Sequence, residues 1–139
     1  VKADGYNYKY DISIPIPEFY DMVEEMKDHL STNYTTRSTR TVSWGHVIDG
    51  NLHLNITTPG IFIEDKALTE VIEPYIFESV IRRNGSISAE HGLGQCKNNY
   101  LPMVKDATVV MLMKSVKDML DPHGIMNPGK FLPSSSSSS

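Results

Sequence analysis

Tyr6, Tyr8, Tyr10, Ile12 and Ile14 occupy every second position from 6 to 14, with Asn7, Lys9, Asp11 and Ser13 between them. Successive strand side chains point to opposite faces, so this alternation predicts a strand over about 6–15, with an apolar even face and Lys9 on the other. The period then changes. Phe19, Met22, Val23, Met26 and Leu30 recur three and four apart, which is the stripe of an amphipathic helix from about Pro17 to Leu30. Proline suits the first helical position because the N–H it lacks would have no partner there. Ser31 to Thr41 carries no period and reads as a loop.

Asp49-Gly50 predicts a two-residue type I′ turn, because both residues tolerate positive φ. The hairpin it closes runs from about Val42 to Thr57 and ends at Thr58-Pro59-Gly60. That turn would pair Ile48 with Asn51, His46 with His53 and Trp44 with Asn55. A second helix is expected over about Asp65–Arg83, with Leu68, Val71, Ile72, Tyr75, Ile76, Val80 and Ile81 as its apolar face and Pro74 kinking or dividing it. Asn84-Gly85 closes that helix. Ser86-Ile87-Ser88 reads as a short strand entering the glycine-flanked loop Ala89-Glu90-His91-Gly92-Leu93-Gly94. A third helix from about Met103 to Leu120 would turn Val109, Met113, Val116 and Leu120 inward and stop at Asp121-Pro122-His123-Gly124.

The order strand, helix, hairpin, helix, short strand, helix predicts an α+β domain over 1–133, a small antiparallel sheet with helices packed on one face. The serines at 134–139 form a solvated low-complexity tail. With 139 residues, 40% of them hydrophobic, the chain can bury a core. Its net charge of −4 gives no electrostatic footprint for nucleic acid, and no window is long and apolar enough for a membrane span. Cys96, the single cysteine, excludes an internal disulfide framework. The start at Val1-Lys2-Ala3-Asp4 reads as the inside of something longer.

The chemistry concentrates on the hairpin. Facing Cβ atoms sit roughly 4.5–5.5 Å apart across a ladder, so His46 and His53 could bind one ion through ring nitrogens at about 2.0–2.1 Å. The same spacing also suits a half-exposed pair with no ion. Glu90, in a loop where backbone can approach a ligand closely, is the candidate third ligand, and Asp49, at the turn tip, the competitor. Glu90 and His91, if extended, project to opposite sides, leaving His91 as a free base. Lys9 and Asn55 are the candidate carboxylate holders, one by charge and one by hydrogen bond. His29 and His123 have no evident partners and read as surface residues. The glycines at 92 and 94 are too few for a phosphate loop.

Three motifs in order, Gly45-His46-x-x-Asp49-Gly50-Asn51-Leu52-His53-Leu54-Asn55, Ser86-Ile87-Ser88-Ala89-Glu90-His91-Gly92-Leu93-Gly94 and Leu120-Asp121-Pro122-x-Gly124-Ile125-Met126-Asn127-Pro128-x-Lys130, resemble the C-terminal domain of FAD-linked oxidases of the vanillyl-alcohol oxidase superfamily. The resemblance implies zinc or a similar divalent ion on His46, His53 and Glu90, with His91 taking a hydroxyl proton from a D-2-hydroxy acid. It implies that Lys9 and Asn55 hold substrate carboxylates and that FAD, bound mainly by a domain upstream of this start, receives the hydride. The expected substrate is D-2-hydroxyglutarate, with D-lactate or glycolate as alternatives. The expected electron acceptor is electron-transfer flavoprotein, and the expected compartment the mitochondrion. Ile48 stands where the family usually carries glycine, so the turn between the histidines is expected to be distorted. With its flavin domain elsewhere, the piece is expected to be inactive alone. The competing expectation is a truncated, non-catalytic metal-binding module.

Overall fold

The N-terminal alternation is realised as strand β1, Gly5–Ser13, in a computed structural model that describes residues 3–133. Strands β2, Arg40–His46, and β3, Asn51–Pro59, complete a sheet of order β1-β3-β2 with both pairings antiparallel. The expected α+β class with a small antiparallel sheet is the class observed. Tyr8, Tyr10 and Ile12 of β1 join Leu52, Leu54 and Ile56 of β3 on one buried face. Helix α1, Phe19–Asn33, lays Met22, Val23, Met26 and Leu30 into that layer. Helix α2, Lys66–Arg82, adds Leu68, Ile72, Ile76, Phe77 and Val80. Removing each such side chain from water contributes about 1.5–3 kcal/mol, and an edge-to-face contact between Tyr10 and Phe77, centroids 6.2 Å apart, ties sheet to helix. The arrangement is a split βαβ unit followed by a helix.

Two helix starts are built by aspartates. Asp65 accepts from the Ala67 N–H at 3.0 Å and from the Tyr34 hydroxyl at 2.7 Å, so the cap of α2 is tied to the end of α1. Pro17 lies in a single 3-10 turn, Ile16–Glu18, just before α1 rather than opening the helix itself.

Pro74 does not divide α2, which is one helix of 17 residues. The proline is on the exposed side, where water can serve the carbonyl that its missing N–H leaves over. Ser86–Ser88 is not a strand: a single bridge links Ser86 to Ser13, and turns follow from 87 to 91. The positive φ after α2 falls on Asn84, at 53°. Gly85 is required for a different reason, since a Cβ there would lie 2.2 Å from the Ser13 carbonyl oxygen. His29, expected to be a bare surface residue, stacks on Tyr75 at 3.8 Å. His123 is exposed.

The chain forms two compact units, Val1–Ala89 and Glu90–Ser139. In the second, a four-residue helix α3, Leu101–Val104, precedes α4, Ala107–Leu120. The expected single helix is broken because Lys105 is extended and Asp106 caps α4 by accepting from the Thr108 N–H at 2.8 Å. Val109, Val116 and Leu120 are exposed, contrary to the expected inward face, and α4 buries no residue. A helical stripe records that a face is apolar, not what covers it. Asp121 ends α4, accepting from the backbone N–H groups of Ile125 and Met126 at 3.0 and 2.9 Å. The serines at 134–139 lie outside the described residues. Among the described residues no helix is long and apolar enough to cross a membrane.

Candidate active site on the open face of the sheet

Four residues, not two, join β2 to β3. Val47–Asp49 form a 3-10 turn and Gly50 alone takes the left-handed conformation, at φ 71° and ψ 18°. The Asp49 carboxylate accepts from the Asn51 N–H at 3.2 Å, which steadies this wider loop. A type I′ turn would need positive φ at Asp49 as well. Ile48, expected to distort the turn, is fully exposed to solvent.

The longer loop moves the register by two residues from the expected one. His46 pairs with Asn51, Trp44 with His53 and Val42 with Asn55. The expected direct pairing of His46 with His53 is therefore corrected to a diagonal one. Because the side-chain period is two, a shift of two keeps every side chain on its face. The imidazoles still meet, centroids 5.5 Å apart and planes at 77°. Gly45, between them and Trp44, permits the close ladder: a Cβ there would lie 2.0 Å from the Asn51 carbonyl oxygen.

From the other side, β1 places Lys9 opposite Asn55 and Asp11 opposite His53. Asp11 Oδ1 lies 3.0 Å from His53 Nδ1. Asn7 Nδ2 donates to Asn55 Oδ1 at 2.9 Å, and Asn55 Nδ2 donates to the His53 carbonyl at 3.2 Å. These residues, with Tyr10 and Trp44, line a cavity of about 350 Å³. His46 Nδ1 stands 3.9 Å from Asp49 Oδ2, beyond hydrogen-bond reach. Lys9 and Asn55 together offer a cation and an amide to a carboxylate, and the imidazoles offer ring nitrogens beside them.

Two imidazoles on one tetrahedral ion have centroids roughly 5 Å apart, so the His46–His53 spacing suits two donors of a metal site. The third expected donor, Glu90, and the expected base, His91, belong to the second unit. Both are exposed and sit in a turn, not in the extended segment that would send them to opposite sides. Among the described residues no three His, Cys, Asp or Glu side chains form a group able to hold an ion. Sequence reasoning missed Asp11, Asn7 and Trp44 as site residues. The alternation that put Lys9 on the open face puts Asn7 and Asp11 there too, two positions either side.

FAD linked oxidases, C-terminal domain, is the family that matches residues 1–131, and the chain belongs to it. It is similar to the mitochondrial D-2-hydroxyglutarate dehydrogenase of Danio rerio, 51% identical over 130 residues that cover 94% of this chain and 23% of that protein. The Rattus norvegicus protein of the same name is 44% identical over 133 residues, covering 96% of this chain and 24% of its own length. A mitochondrial protein of Schizosaccharomyces pombe, named provisionally for D-lactate dehydrogenase, is 41% identical over 137 residues, covering 94% and 26%. The chain thus spans about a quarter of the length of the relatives it matches.

Proposed function

We propose that this chain supplies the substrate-holding face of an FAD-dependent D-2-hydroxy-acid dehydrogenase that oxidises D-2-hydroxyglutarate to 2-oxoglutarate. The observation that carries the reading is the pairing of Lys9 with Asn55 on the same open face as His46 and His53. Asn55 Oδ1 accepts from Asn7 and one N–H of Asn55 Nδ2 goes to the His53 carbonyl, so the second Nδ2 N–H is what remains for an anion. Lys9, exposed on that face, gives a carboxylate a compact positive charge. The names of the Danio and Rattus relatives agree with a dicarboxylate at such a site.

In this reading His46, His53 and Glu90 are the residues that would hold zinc or a similar divalent ion. When bound, such an ion would supply Lewis-acid polarisation of the C2 hydroxyl, and FAD would supply the acceptor for a hydride from C2. His91 takes the hydroxyl proton, so that loss of a proton and a hydride leaves the 2-oxo acid. Lys9 and Asn55 hold the substrate carboxylates and fix the position of C2. The electrons then pass to an acceptor such as electron-transfer flavoprotein, and the mitochondrial names of the relatives support that compartment. A second reading, D-lactate or glycolate as substrate, has the Schizosaccharomyces pombe relative in its favour.

Steady-state kinetics of the complete flavoprotein with D-2-hydroxyglutarate and D-lactate test the reading. A charge-assisted contact contributes about 1.5–3 kcal/mol, so Lys9→Met should raise KM for D-2-hydroxyglutarate by roughly 10–100-fold and leave D-lactate nearly unchanged. Equal loss on both substrates would favour the second reading. A flavin-loaded native protein that oxidises no D-2-hydroxy acid would leave a non-catalytic module.

A further inference from the structure

Asn7 has no substrate role in the chemistry above, yet it is joined to a residue that does. Asn55 Nδ2 donates to the His53 carbonyl at 3.2 Å, and a carbonyl only accepts, so the nitrogen of Asn55 is fixed on that side. Asn55 Oδ1 is then left to accept from Asn7 Nδ2, at 2.9 Å. This bond runs across the ladder diagonal, since the register pairs Asn7 with Thr57 and Lys9 with Asn55. It fixes Asn7 as well, because the opposite orientation would set two amide oxygens against each other. The oxygen of Asn7 is buried with no hydrogen-bond partner. A buried acceptor left over in this way is rare in folded proteins, and here it points to a use for the other end of the amide. Each amide nitrogen carries two N–H groups and each has given one to a neighbour, so Asn7 and Asn55 both retain one.

We infer that Asn7 is a further substrate-binding residue, whose remaining N–H joins that of Asn55 and the Lys9 ammonium in a three-donor cradle for the second carboxylate of a five-carbon hydroxy diacid. Three observations converge on it. Asn7, Lys9 and Asn55 share the open face and all line the 350 Å³ cavity. The groups they offer there are donors, one of them charged, which is the set a carboxylate takes. The acidic side chains on either side have partners of their own: Asp4 accepts from Arg40 at 2.7 Å and from the Thr57 hydroxyl at 2.8 Å, and Asp11 stands 3.0 Å from His53 Nδ1. Finally, Asn55 lies two residues beyond His53 on β3, a step of about 6.8 Å along an antiparallel strand. A substrate with its C2 end at the imidazoles therefore reaches the cradle through a second carboxylate, which a three-carbon hydroxy acid lacks.

The inference rests on the reading of the preceding section, and one set of measurements on the complete flavoprotein separates the two. Asn7→Val suits a strand, and Asn7→Asp keeps the shape of the side chain while replacing its donors by acceptors. Steady-state kinetics with D-2-hydroxyglutarate and D-lactate are read beside isothermal titration with glutarate, a diacid with no hydroxyl to oxidise. Loss of a hydrogen bond to a charged group should raise KM for D-2-hydroxyglutarate and Kd for glutarate roughly 10–100-fold in Asn7→Val. Asn7→Asp should raise both further, since it sets a carboxylate against that of the ligand. In both variants kcat and the KM for D-lactate should stay near native. Native KM and native glutarate affinity in Asn7→Val, or an equal loss on both substrates, overturns the inference; a KM for D-2-hydroxyglutarate still raised by Lys9→Met then leaves the site reading standing. If Asn7→Val does not fold, Asn7→Asp decides by the same measures. A Lys9→Met variant with native KM for D-2-hydroxyglutarate overturns the reading of the preceding section, and the cradle with it.

Discussion

His46 and His53 meet across the diagonal of the β2–β3 ladder, 5.5 Å between ring centroids, although the register pairs His46 with Asn51 and His53 with Trp44. If this diagonal pair anchors an ion, elemental analysis of the purified complete protein should find near-stoichiometric divalent metal. The His46→Ala/His53→Ala double variant should contain almost none. His91→Ala should keep the metal and lose turnover. Metal retained in the double variant would assign it to other side chains.

Leu54 and His53 are adjacent in β3 but face opposite layers, one fully buried among α1 and α2 and one on the open face. Leu54→Ala should cost about 2–5 kcal/mol, the transfer term plus the cavity it leaves. His53→Ala should change stability by less than about 1 kcal/mol, because little packing is lost. Urea unfolding midpoints of the two variants check the contrast, and similar losses would mean that the open face carries core weight.

Gly45→Ala adds a Cβ that would sit 2.0 Å from the Asn51 carbonyl oxygen. The strands must part to admit it, at a cost of about 1–3 kcal/mol. Since Asn51 and Gly45 flank the histidine diagonal, the same substitution should weaken zinc binding. A variant with native stability and native zinc affinity would show that the ladder is looser than this geometry.

Tyr34 is held protonated to about 12 from 10.0, first by burial and then by its hydrogen bond to the Asp65 carboxylate. A raised pKa means that the stability linked to this hydroxyl is complete below about pH 10 and is lost as pH climbs toward 12. Tyr34→Phe should flatten the fall in unfolding free energy between those pH values. Its own cost near neutral pH is the hydrogen bond to the Asp65 carboxylate, about 1.5–3 kcal/mol. Denaturant titrations at pH 9 and 11 would read the difference, and identical slopes for the two proteins would remove Tyr34 from the alkaline transition.

Alternation in 6–14 and the stripe from Phe19 to Leu30 were enough to set which residues of β1 and α1 face the core, because burial follows period and period is written along the chain. The same parity put His46, His53, Asn55 and Lys9 on one face and survived a register moved by two residues. The sequence alone also carried the three ordered motifs of the FAD-linked oxidase family. What it could not decide was anything that depends on closing a loop or on a partner distant along the chain. The four-residue turn at Val47–Gly50, the Glu90–His91 turn and the exposed face of α4 depend on backbone closure and on what lies beside each segment. The contact of Asp11 with His53 joins residues 42 positions apart, and only the pairing of β1 with β3 brings them within 3.0 Å. Local pattern determines faces, because side-chain direction is a property of the backbone; tertiary pairing decides distances, because these require two elements to fold against each other.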